Sequence, residues 1–185
     1  MLAKLFAIAT IALTSAAYPY YNQCDNRWKE DRAGALSTAN TVKMCNNGCV
    51  VTSVAMILAD SGKTIDGEIV TPKSLNTWLR NNNGYSDKRF VWGSVAKFGL
   101  TYLGKNSNPA KIAAYHKEGK AVILNVDKGG HWVLLTGISV NNKGKNVYSV
   151  NDPGYRDRKS YTESDIVTAA IFTKPPKAKP SFLLE

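Results

Sequence analysis

The stretch from Asn46 to Leu58, N-N-G-C-V-V-T-S-V-A-M-I-L, constrains the fold more than any other part of the sequence. Its first residues are polar and turn-prone, and the apolar residues after them recur at helical spacing, which predicts a mostly buried helix. Cys49 would lie in the first turn of that helix. Backbone N–H groups have no partner there and the helix dipole is positive, so a thiolate is favoured over a thiol. Cys49 is therefore a candidate nucleophile at neutral pH.

The N-terminal residues have the anatomy of a secretory signal peptide. Lys4 supplies an early positive charge, Leu5 to Leu13 form a short apolar stretch, and small residues precede a cleavage site near Ala17. The apolar stretch is well short of the roughly 20 residues of a membrane-spanning helix, and no other segment qualifies. We expect a signal peptide at 1–17 and a secreted, extracellular product with no membrane span. A buried first helix is the alternative interpretation.

The 185-residue chain is long enough for one domain with a hydrophobic core. Its formal net charge is +10, and +9 remains if the signal peptide is removed, because Lys4 is the one charged residue in that segment. Such an excess favours anionic surfaces such as cell walls, polysaccharides or nucleic acid. The basic residues are scattered, however, which is typical of a solvated surface. We expect a monomer that binds no nucleic acid, with an anionic cell-wall surface as a candidate partner.

Three cysteines, at positions 24, 45 and 49, leave one free thiol after a single disulfide forms in an oxidising compartment. Three pairings are open. A Cys24–Cys45 bond would join the N-terminal segment to the loop before the predicted helix, whereas a Cys45–Cys49 bond would consume the candidate nucleophile. We favour the first pairing, because the helix-start position makes Cys49 the reactive cysteine.

The sequence predicts helices in the first half of the domain and strands in the second. After the Cys49 helix, which ends near Ser61-Gly62, helix signals identify three further segments: a helix from Thr71-Pro72 to about Asn81, a short helix over Phe90–Phe98, and a helix from Asn108-Pro109 to about Lys117. Apolar runs bounded by turn residues then predict strands at Ala121–Val126, His131–Ser139, Asn146–Val150 and Ile166–Phe172.

This order of elements indicates an α+β domain over residues 18–173 with an antiparallel sheet. A hairpin turn at Asn141–Gly144 would join the His131–Ser139 strand to the Asn146–Val150 strand. Residues 174–185, K-P-P-K-A-K-P-S-F-L-L-E, are rich in Pro and Lys and predict a flexible tail.

A cysteine nucleophile requires a base, and the sequence contains two histidines. His116 lies among charged residues at the polar end of a predicted helix, which is typical of a surface histidine. His131 follows two glycines and opens a predicted strand, so its imidazole would lie at the mouth of the sheet. Taken alone, His131 would be read as a structural histidine at a strand end. Together with a cysteine at a helix start, it is the candidate base.

The imidazole requires a third group to hold its other nitrogen. Asp152 lies at the end of the strand that follows the His131 strand. Because antiparallel partners joined by a turn begin and end at the same sheet edge, His131 and Asp152 are predicted to be neighbours. Asn151 would point to the opposite face and is the weaker candidate. A turn-starting Asp-Pro is the alternative role for Asp152.

The oxyanion of a tetrahedral intermediate requires hydrogen-bond donors. One would be the backbone N–H of Cys49. Gln23 is a candidate for the second, because a Cys24–Cys45 bond would draw it towards the Cys49 loop. On sequence alone an ordinary polar loop residue is the simpler interpretation of Gln23.

In chain order, Gln23, Cys49, His131 and Asp152 match the Gln, Cys, His and Asn/Asp of the papain-like cysteine peptidases, which this sequence resembles. A closer resemblance, to secreted relatives of the bacteriocin-processing peptidases that cleave leader peptides after a double glycine, covers Tyr18 to Thr173. It is carried by four motifs: Y-N-Q-C-D-N-R-W, G-C-V-V-T-S-V-A-M-I-L, G-G-H-W-V-L-L-T-G and V-N-D-P-G-Y. The resemblance implies a papain-like α+β fold with Cys49 as nucleophile, His131 as base, Asp152 as orienter and Gln23 in the oxyanion hole.

The bacteriocin processors differ in one respect, because they are fused to membrane transporter domains. This sequence shows neither membrane helices nor a nucleotide-binding loop, so the double-glycine leader is not carried over as substrate. We expect a secreted cysteine peptidase that acts on a peptide or protein.

Three alternatives remain. They are a cell-wall amidase or peptidase with the same dyad, a non-catalytic binding module, and a metal site made by Cys49, His131 and Asp152. The metal site is the weakest, because it would have one histidine and no close ligand pair. We expect no cofactor and no metal.

Overall fold

The computed structural model describes residues 18–37, 39 and 42–177. The predicted signal peptide at 1–17 and residues 178–185 of the predicted tail lie outside the described residues. Within the described ranges, no helix combines the length and the apolar character needed to cross a membrane.

Three α-helices of the described chain follow the sequence prediction closely. They are α1 (Cys49–Asp60), α2 (Pro72–Asn81) and α3 (Pro109–Lys117). The Thr71 side chain accepts a hydrogen bond from the Ser74 backbone N–H at the start of α2, and Asn108 caps α3 in the same way through Lys111. Proline occupies the first helical position of both helices, where its missing N–H costs nothing. A short helical turn, Met44–Asn47, precedes α1.

The second half of the described chain forms a six-stranded sheet in which every neighbouring pair is antiparallel. Its strands are β1 (Thr101–Asn106), β2 (Ala121–Val126), β3 (His131–Val140), β4 (Asn146–Asn151), β5 (Ser160–Thr162) and β6 (Thr168–Thr173). The spatial order is β5-β4-β3-β2-β6-β1. The α+β prediction is therefore correct, and the predicted hairpin turn joins β3 to β4, where the Asn141 backbone N–H donates to the Lys145 carbonyl.

The prediction of a helix over Phe90–Phe98 is wrong in part. Phe90 pairs with Tyr85 in a two-residue hairpin, and Trp92–Phe98 form a 3₁₀ helix. Gly99 ends this segment with a φ of +80°, the left-handed conformation that favours glycine. The short aromatic-rich segment packs its rings together rather than presenting one helical face, and this packing overrides the helical period.

Two strands of the sheet, β1 and β5, are absent from the sequence prediction. In β1, Gly104 interrupts the pattern with a φ of +112°, and the strand forms an edge whose alternate residues are exposed. In β5, three residues are too few to give a periodic signal, and their assignment depends on pairing with β4.

Apolar residues cover both faces of the sheet. One face packs against α1 and α2 through Ile123, Leu134 and Phe172, whereas the other packs against α3 through residues such as Val133 and Tyr148. Because side chains alternate along a strand, the buried run of β2 divides between two cores. Burial on both faces fixes the register of the central strands.

A β-bulge interrupts the pairing of β3 and β4. Ser149 lies opposite Gly137, but Val150 lies opposite Leu135, so Thr136 is the extra residue. The insertion changes which residues share a face beyond this point. With it, Asp152 shares the face of Val133, and this is also the face of His131.

The N-terminal segment of the described chain docks on the end of β4. The Gln23 backbone N–H donates to the Pro153 carbonyl (2.8 Å), and the Tyr20 hydroxyl donates to the Asp152 carbonyl (3.0 Å). Lys174 Nζ lies 4.4 Å from the centre of the Tyr18 ring, and Lys177 Nζ donates to Asp60 Oδ1 (3.0 Å). Residues 174–177, the described part of the predicted tail, therefore contact the domain.

Candidate active site

Cys49 is the first residue of α1 and carries the free thiol of the described chain. Val54, Ala55 and Met56, one turn further along, are fully buried, so the helix is anchored in the core. Gly48 makes the sharp entry into the helix possible, because a Cβ at this position would collide with the Met44 carbonyl oxygen. Packing along α1 and the tight turn before it therefore determine where the thiol lies.

Cys24 and Cys45 form a disulfide, which is the pairing that the sequence favours. The bond joins the docked N-terminal segment to the helical turn that leads into α1. It leaves Cys49 as the cysteine with a titratable thiol.

His131 opens β3 and is 8% exposed. Its Nε2 lies 2.7 Å from Asp152 Oδ1, and its ring also has a hydrogen-bonding interaction with the Cys49 side chain. Because Asp152 occupies Nε2, Nδ1 is the nitrogen left for the sulfur. Asn125 holds the backbone of this region, since its side-chain amide donates to the carbonyls of Gly129 (3.1 Å) and His131 (2.9 Å).

The surroundings of His131 favour its protonated form. Burial of the ring acts to lower its pKa, but the hydrogen bonds with Asp152 and Cys49 and the charges of both groups outweigh burial and raise the pKa to about 9. At neutral pH the imidazole is therefore held as an imidazolium beside the cysteine.

Asp152 is 1% exposed, and both of its carboxylate oxygens accept hydrogen bonds. Oδ1 faces His131 and accepts from the backbone N–H groups of Gly154 (2.9 Å) and Tyr155 (3.0 Å), and Oδ2 accepts from the Tyr161 hydroxyl (2.7 Å). Burial acts to raise the Asp152 pKa, but these hydrogen bonds and the charge of His131 lower it overall. The carboxylate is therefore kept ionised.

Tyr161 and Arg158 extend this network away from the site, and sequence reasoning missed both. Arg158 Nη1 donates to the Tyr161 oxygen (2.9 Å) and forms an ion pair with Asp127 (3.0 Å). Because the Tyr161 oxygen accepts a hydrogen bond from Arg158, its own hydroxyl proton is directed at Asp152. A signal was present in the sequence, because Tyr161 follows the D-P-G-Y turn at a distance that allows the chain to fold back onto Asp152.

The aromatic ring in contact with His131 belongs to Tyr155 and not to Trp132, its neighbour in the sequence. The centres of the His131 and Tyr155 rings are 5.7 Å apart in an edge-on arrangement. Trp132 lies on the opposite face of β3, where its ring centre is 4.9 Å from that of Trp92. The alternation of side chains along the strand separates these two neighbours.

Gln23 is buried beside the disulfide, and its Nε2 donates to the Cys45 carbonyl. Its Oε1 has no hydrogen-bond partner among the described residues. Gln23 and His131 line the same groove, so the structure brings the glutamine to the site.

The remaining candidates from the sequence lie outside the site. His116 is half-buried on α3, and burial together with the nearby Lys174 lowers its pKa. The Asn151 side chain turns away from His131 and donates to the carbonyls of Tyr18 (3.3 Å) and Pro19 (3.4 Å). Within the described part of the chain, no cluster of three or more His, Cys, Asp or Glu side chains could hold a metal ion.

Two grooves flank the candidate site. The first, here called the basic groove, has a volume of about 330 Å³ and is lined by Cys49, the hairpin residues Lys88 to Phe90, Trp92, Lys105 and Trp132. The second, here called the disulfide groove, has a volume of about 430 Å³ and is lined by residues that include Gln23, the disulfide, His131 and Tyr155. A further depression of about 460 Å³ lies on α2 around Trp78, and none of the candidate site residues lines it.

Comparison with known proteins assigns the chain to a family. Residues 15–174 match the Peptidase_C39 like family, which is more than half of the chain. No curated protein and no solved structure matches the chain. The match covers the helix that carries Cys49, the sheet that carries His131 and the loop that carries Asp152. The chain therefore belongs to the Peptidase_C39 like family, a family of papain-like cysteine peptidases.

Proposed function

We propose that the protein is a secreted cysteine peptidase that hydrolyses peptide bonds with Cys49 as the nucleophile and His131 as the base. The supporting observation is a chain of two contacts that joins three residues. A free cysteine at a helix start interacts with an imidazole, and a buried carboxylate holds the other nitrogen of that ring at 2.7 Å. This is the relation that a nucleophile, its base and an orienting group require.

The reaction begins from a thiolate–imidazolium pair. The Cys49 thiolate attacks the scissile carbonyl carbon, and the π electrons of the C=O bond move to its oxygen. As the tetrahedral intermediate collapses, His131 gives its proton to the leaving amine and a thioester remains on Cys49. His131 then takes a proton from water, the hydroxide attacks the thioester, and the carboxylic acid product leaves the regenerated thiolate. Asp152 stabilises the imidazolium and orients the ring throughout.

Gln23 and the backbone N–H of Cys49 would stabilise the oxyanion. A side-chain amide carries two N–H donors, and the Cys45 carbonyl accepts one of them. The second is free to donate to a developing negative charge in the disulfide groove. Anchoring of Gln23 by the disulfide and by the Pro153 carbonyl supports this role, because a preorganised donor needs no reorientation during the reaction.

Secretion is supported by the signal-peptide pattern of residues 1–17 and by the disulfide, which is typical of an oxidising compartment. The full chain should be produced in a secreting host and the N-terminus of the exported protein sequenced. We expect it to begin at or near Tyr18. Retention of the protein inside cells with its first residues intact would contradict secretion and leave the catalytic proposal standing.

The net charge of +10 favours a second candidate, an amidase or peptidase that acts on cell-wall peptides with the same residues. Incubation of the secreted protein with a soluble peptide library and with purified peptidoglycan separates the two. The peptidase proposal expects new N-termini in the library, whereas the amidase proposal expects release of stem peptides from the wall.

The test of catalysis compares the native protein with Cys49→Ala. We expect the native protein to cleave, a thiol-directed covalent inhibitor to label Cys49 stoichiometrically, and the variant to unfold at the same urea concentration while showing no turnover. Full activity of Cys49→Ala would contradict the proposed nucleophile. Binding of peptides without cleavage by the native protein would instead identify a non-catalytic binding module.

A further inference from the structure

The basic groove presents positive charge directly beside Cys49. Lys88, Arg89 and Lys105 line it, and no carboxylate does. Within the described residues, none of these three cations takes part in an ion pair. Asp127, which lies in the loop before His131, lines the disulfide groove instead and is paired with Arg158. Uncompensated positive charge is therefore concentrated on one side of the site.

The hairpin that carries two of these cations is held in place. The Asn47 side-chain amide donates to the Lys88 carbonyl (2.8 Å), and the Ala35 backbone N–H donates to the Asp87 carbonyl (2.8 Å). The first bond joins the hairpin to a residue two positions before Cys49. Tyr85, at the base of the hairpin, is buried and its hydroxyl donates to Asn76 (2.6 Å). The backbone of Lys88 and Arg89 is thus fixed relative to the nucleophile.

The third cation belongs to the sheet and not to the hairpin. Lys105 lies on the edge strand β1, and its Nζ is 5.6 Å from the centre of the Trp92 ring and 5.3 Å from that of Trp132. These distances lie within the range of cation–π interactions, which hold the ammonium group above the aromatic floor. The two indole rings and Phe90 provide an apolar surface on which the methylene groups of a side chain could pack.

From these observations we propose that the basic groove is a subsite that binds an acidic side chain, Asp or Glu, of the peptide substrate. The inference rests on the proposed function, since it names the substrate class of that site. The carboxylate is the anion that an unmodified peptide side chain carries, and three cations around an apolar floor complement its charge and its methylene stem. A volume of about 330 Å³ is at the lower end of the range for ligand pockets and suits a side chain.

The cleavage test uses fluorogenic peptides that differ only in Glu, Gln or Lys at each position flanking the cleaved bond. At one position on one side of that bond, we expect kcat/KM for Glu to exceed that for Gln by about tenfold at low salt, and Lys to be poorer than Gln. Because the three cations are near solvent, the preference should shrink in 0.5 M salt, where the Debye length is about 4 to 5 Å. Equal rates for all three peptides at every position would overturn the proposal.

Two variants test the residues themselves. One is the single variant Lys105→Glu, and the other is the triple variant Lys88→Gln/Arg89→Gln/Lys105→Gln. The triple variant should lose the Glu preference, so that the ratio of its kcat/KM values for the Glu and Gln peptides falls to about 1. Lys97→Glu is a matched control, because Lys97 also lies over a tryptophan, 5.8 Å from the Trp78 ring centre, but does not line the groove. An unchanged preference in the triple variant would overturn the assignment, as would an equal loss in Lys97→Glu.

A binding measurement on Cys49→Ala separates failure of this inference from failure of the proposed function. Trp92 and Trp132 lie in the groove, so their fluorescence reports occupancy. Tighter binding of the Glu peptide than of the Gln peptide supports the subsite even if the native protein cleaves neither. Equal affinity for the two peptides overturns the subsite, and cleavage of neutral peptides by the native protein would still support the peptidase.

Discussion

Cys49 and His131 approach each other from two regions that are built differently. The helix wall, α1, is held by apolar burial, and Val54 through Leu58 are fully buried. Two buried hydroxyls in this helix, those of Thr52 and Ser53, have no hydrogen-bond partner among the described residues. The second region, here called the sheet wall, is the end of β3 and β4 that carries His131 and Asp152. There, by contrast, both oxygens of Asp152 accept hydrogen bonds, and the network continues through Tyr161 to Arg158.

The difference fits the chemistry that we propose for each wall. A thiolate needs a fixed position and the positive end of a helix, and close packing of α1 supplies both. An imidazole must keep one orientation and one protonation state, which requires directed hydrogen bonds to its second nitrogen. Damage to the helix wall should therefore appear mainly as lost stability, and damage to the sheet wall mainly as lost turnover and altered pH dependence.

The largest effect is expected from His131→Ala. Without its base, the protein should lose at least about 10³-fold in kcat/KM, and the reactivity of Cys49 towards iodoacetamide at pH 7 should fall as well. The measurements are peptide hydrolysis and alkylation rates, with His116→Ala as the matched control that keeps both. Retained turnover in His131→Ala would show that His131 is not the base.

Leu58→Ala tests the helix wall. The leucine is fully buried, and its truncation should lower the free energy of unfolding by about 3 kcal/mol through lost burial and a cavity. Urea unfolding measures the loss, and kcat/KM of the folded fraction should stay close to that of the native protein. Leu103→Ala is the matched control, because Leu103 is 49% exposed and its loss should cost well under 1 kcal/mol. A large fall in kcat/KM without a fall in stability would contradict the expectation that the helix wall mainly supports stability.

Asp152→Asn should lower kcat/KM by roughly 100-fold with little change in fold. Removal of the carboxylate charge should also lower the His131 pKa from about 9 towards its ordinary value, so the alkaline limb of the pH profile should move to lower pH. In the native protein the raised pKa stabilises the fold fully below about pH 6.5, and this contribution is lost as pH rises through about 9. An unmoved alkaline limb in Asp152→Asn would show that Asp152 does not control the imidazole.

The smallest effect is expected from Tyr161→Phe, a change in a positioning residue. Loss of one hydrogen bond to a carboxylate should reduce kcat by about tenfold, with KM nearly unchanged. Since Asp152 then loses a donor, its lowered pKa should rise, and the acid limb of the profile should move to higher pH. Tyr148→Phe is the matched control, because Tyr148 packs in the same core and its hydroxyl does not touch Asp152. Equal pH profiles for Tyr161→Phe and the native protein would show that the Tyr161 hydroxyl does not influence Asp152 and that Tyr161 contributes only to packing.

The helices α1, α2 and α3 and the hairpin of β3 and β4 were predictable because their signals are local. Caps, prolines at helix starts and apolar periodicity act within a few residues, and each recurs in the structure. Strands β1 and β5 were not predictable for the opposite reason. Both are edge segments. The pairing of β1 depends on β6, which lies far away in the chain, and β5 pairs with the preceding strand β4 but is only three residues long.

The sequence by itself determined that Cys49 begins a buried helix and that His131 and Asp152 lie at one edge of the sheet. Helical period and antiparallel pairing decide those positions, and both act over short stretches of chain. The sequence also favoured Asp152 over Asn151 for the face of His131, but only the tertiary structure reveals the bulge at Thr136, whose register shift of one residue places Asp152 on that face. The tertiary structure also brought Tyr161 to the carboxylate and Lys105 to the groove, since each lies on an edge strand that apolar periodicity does not identify.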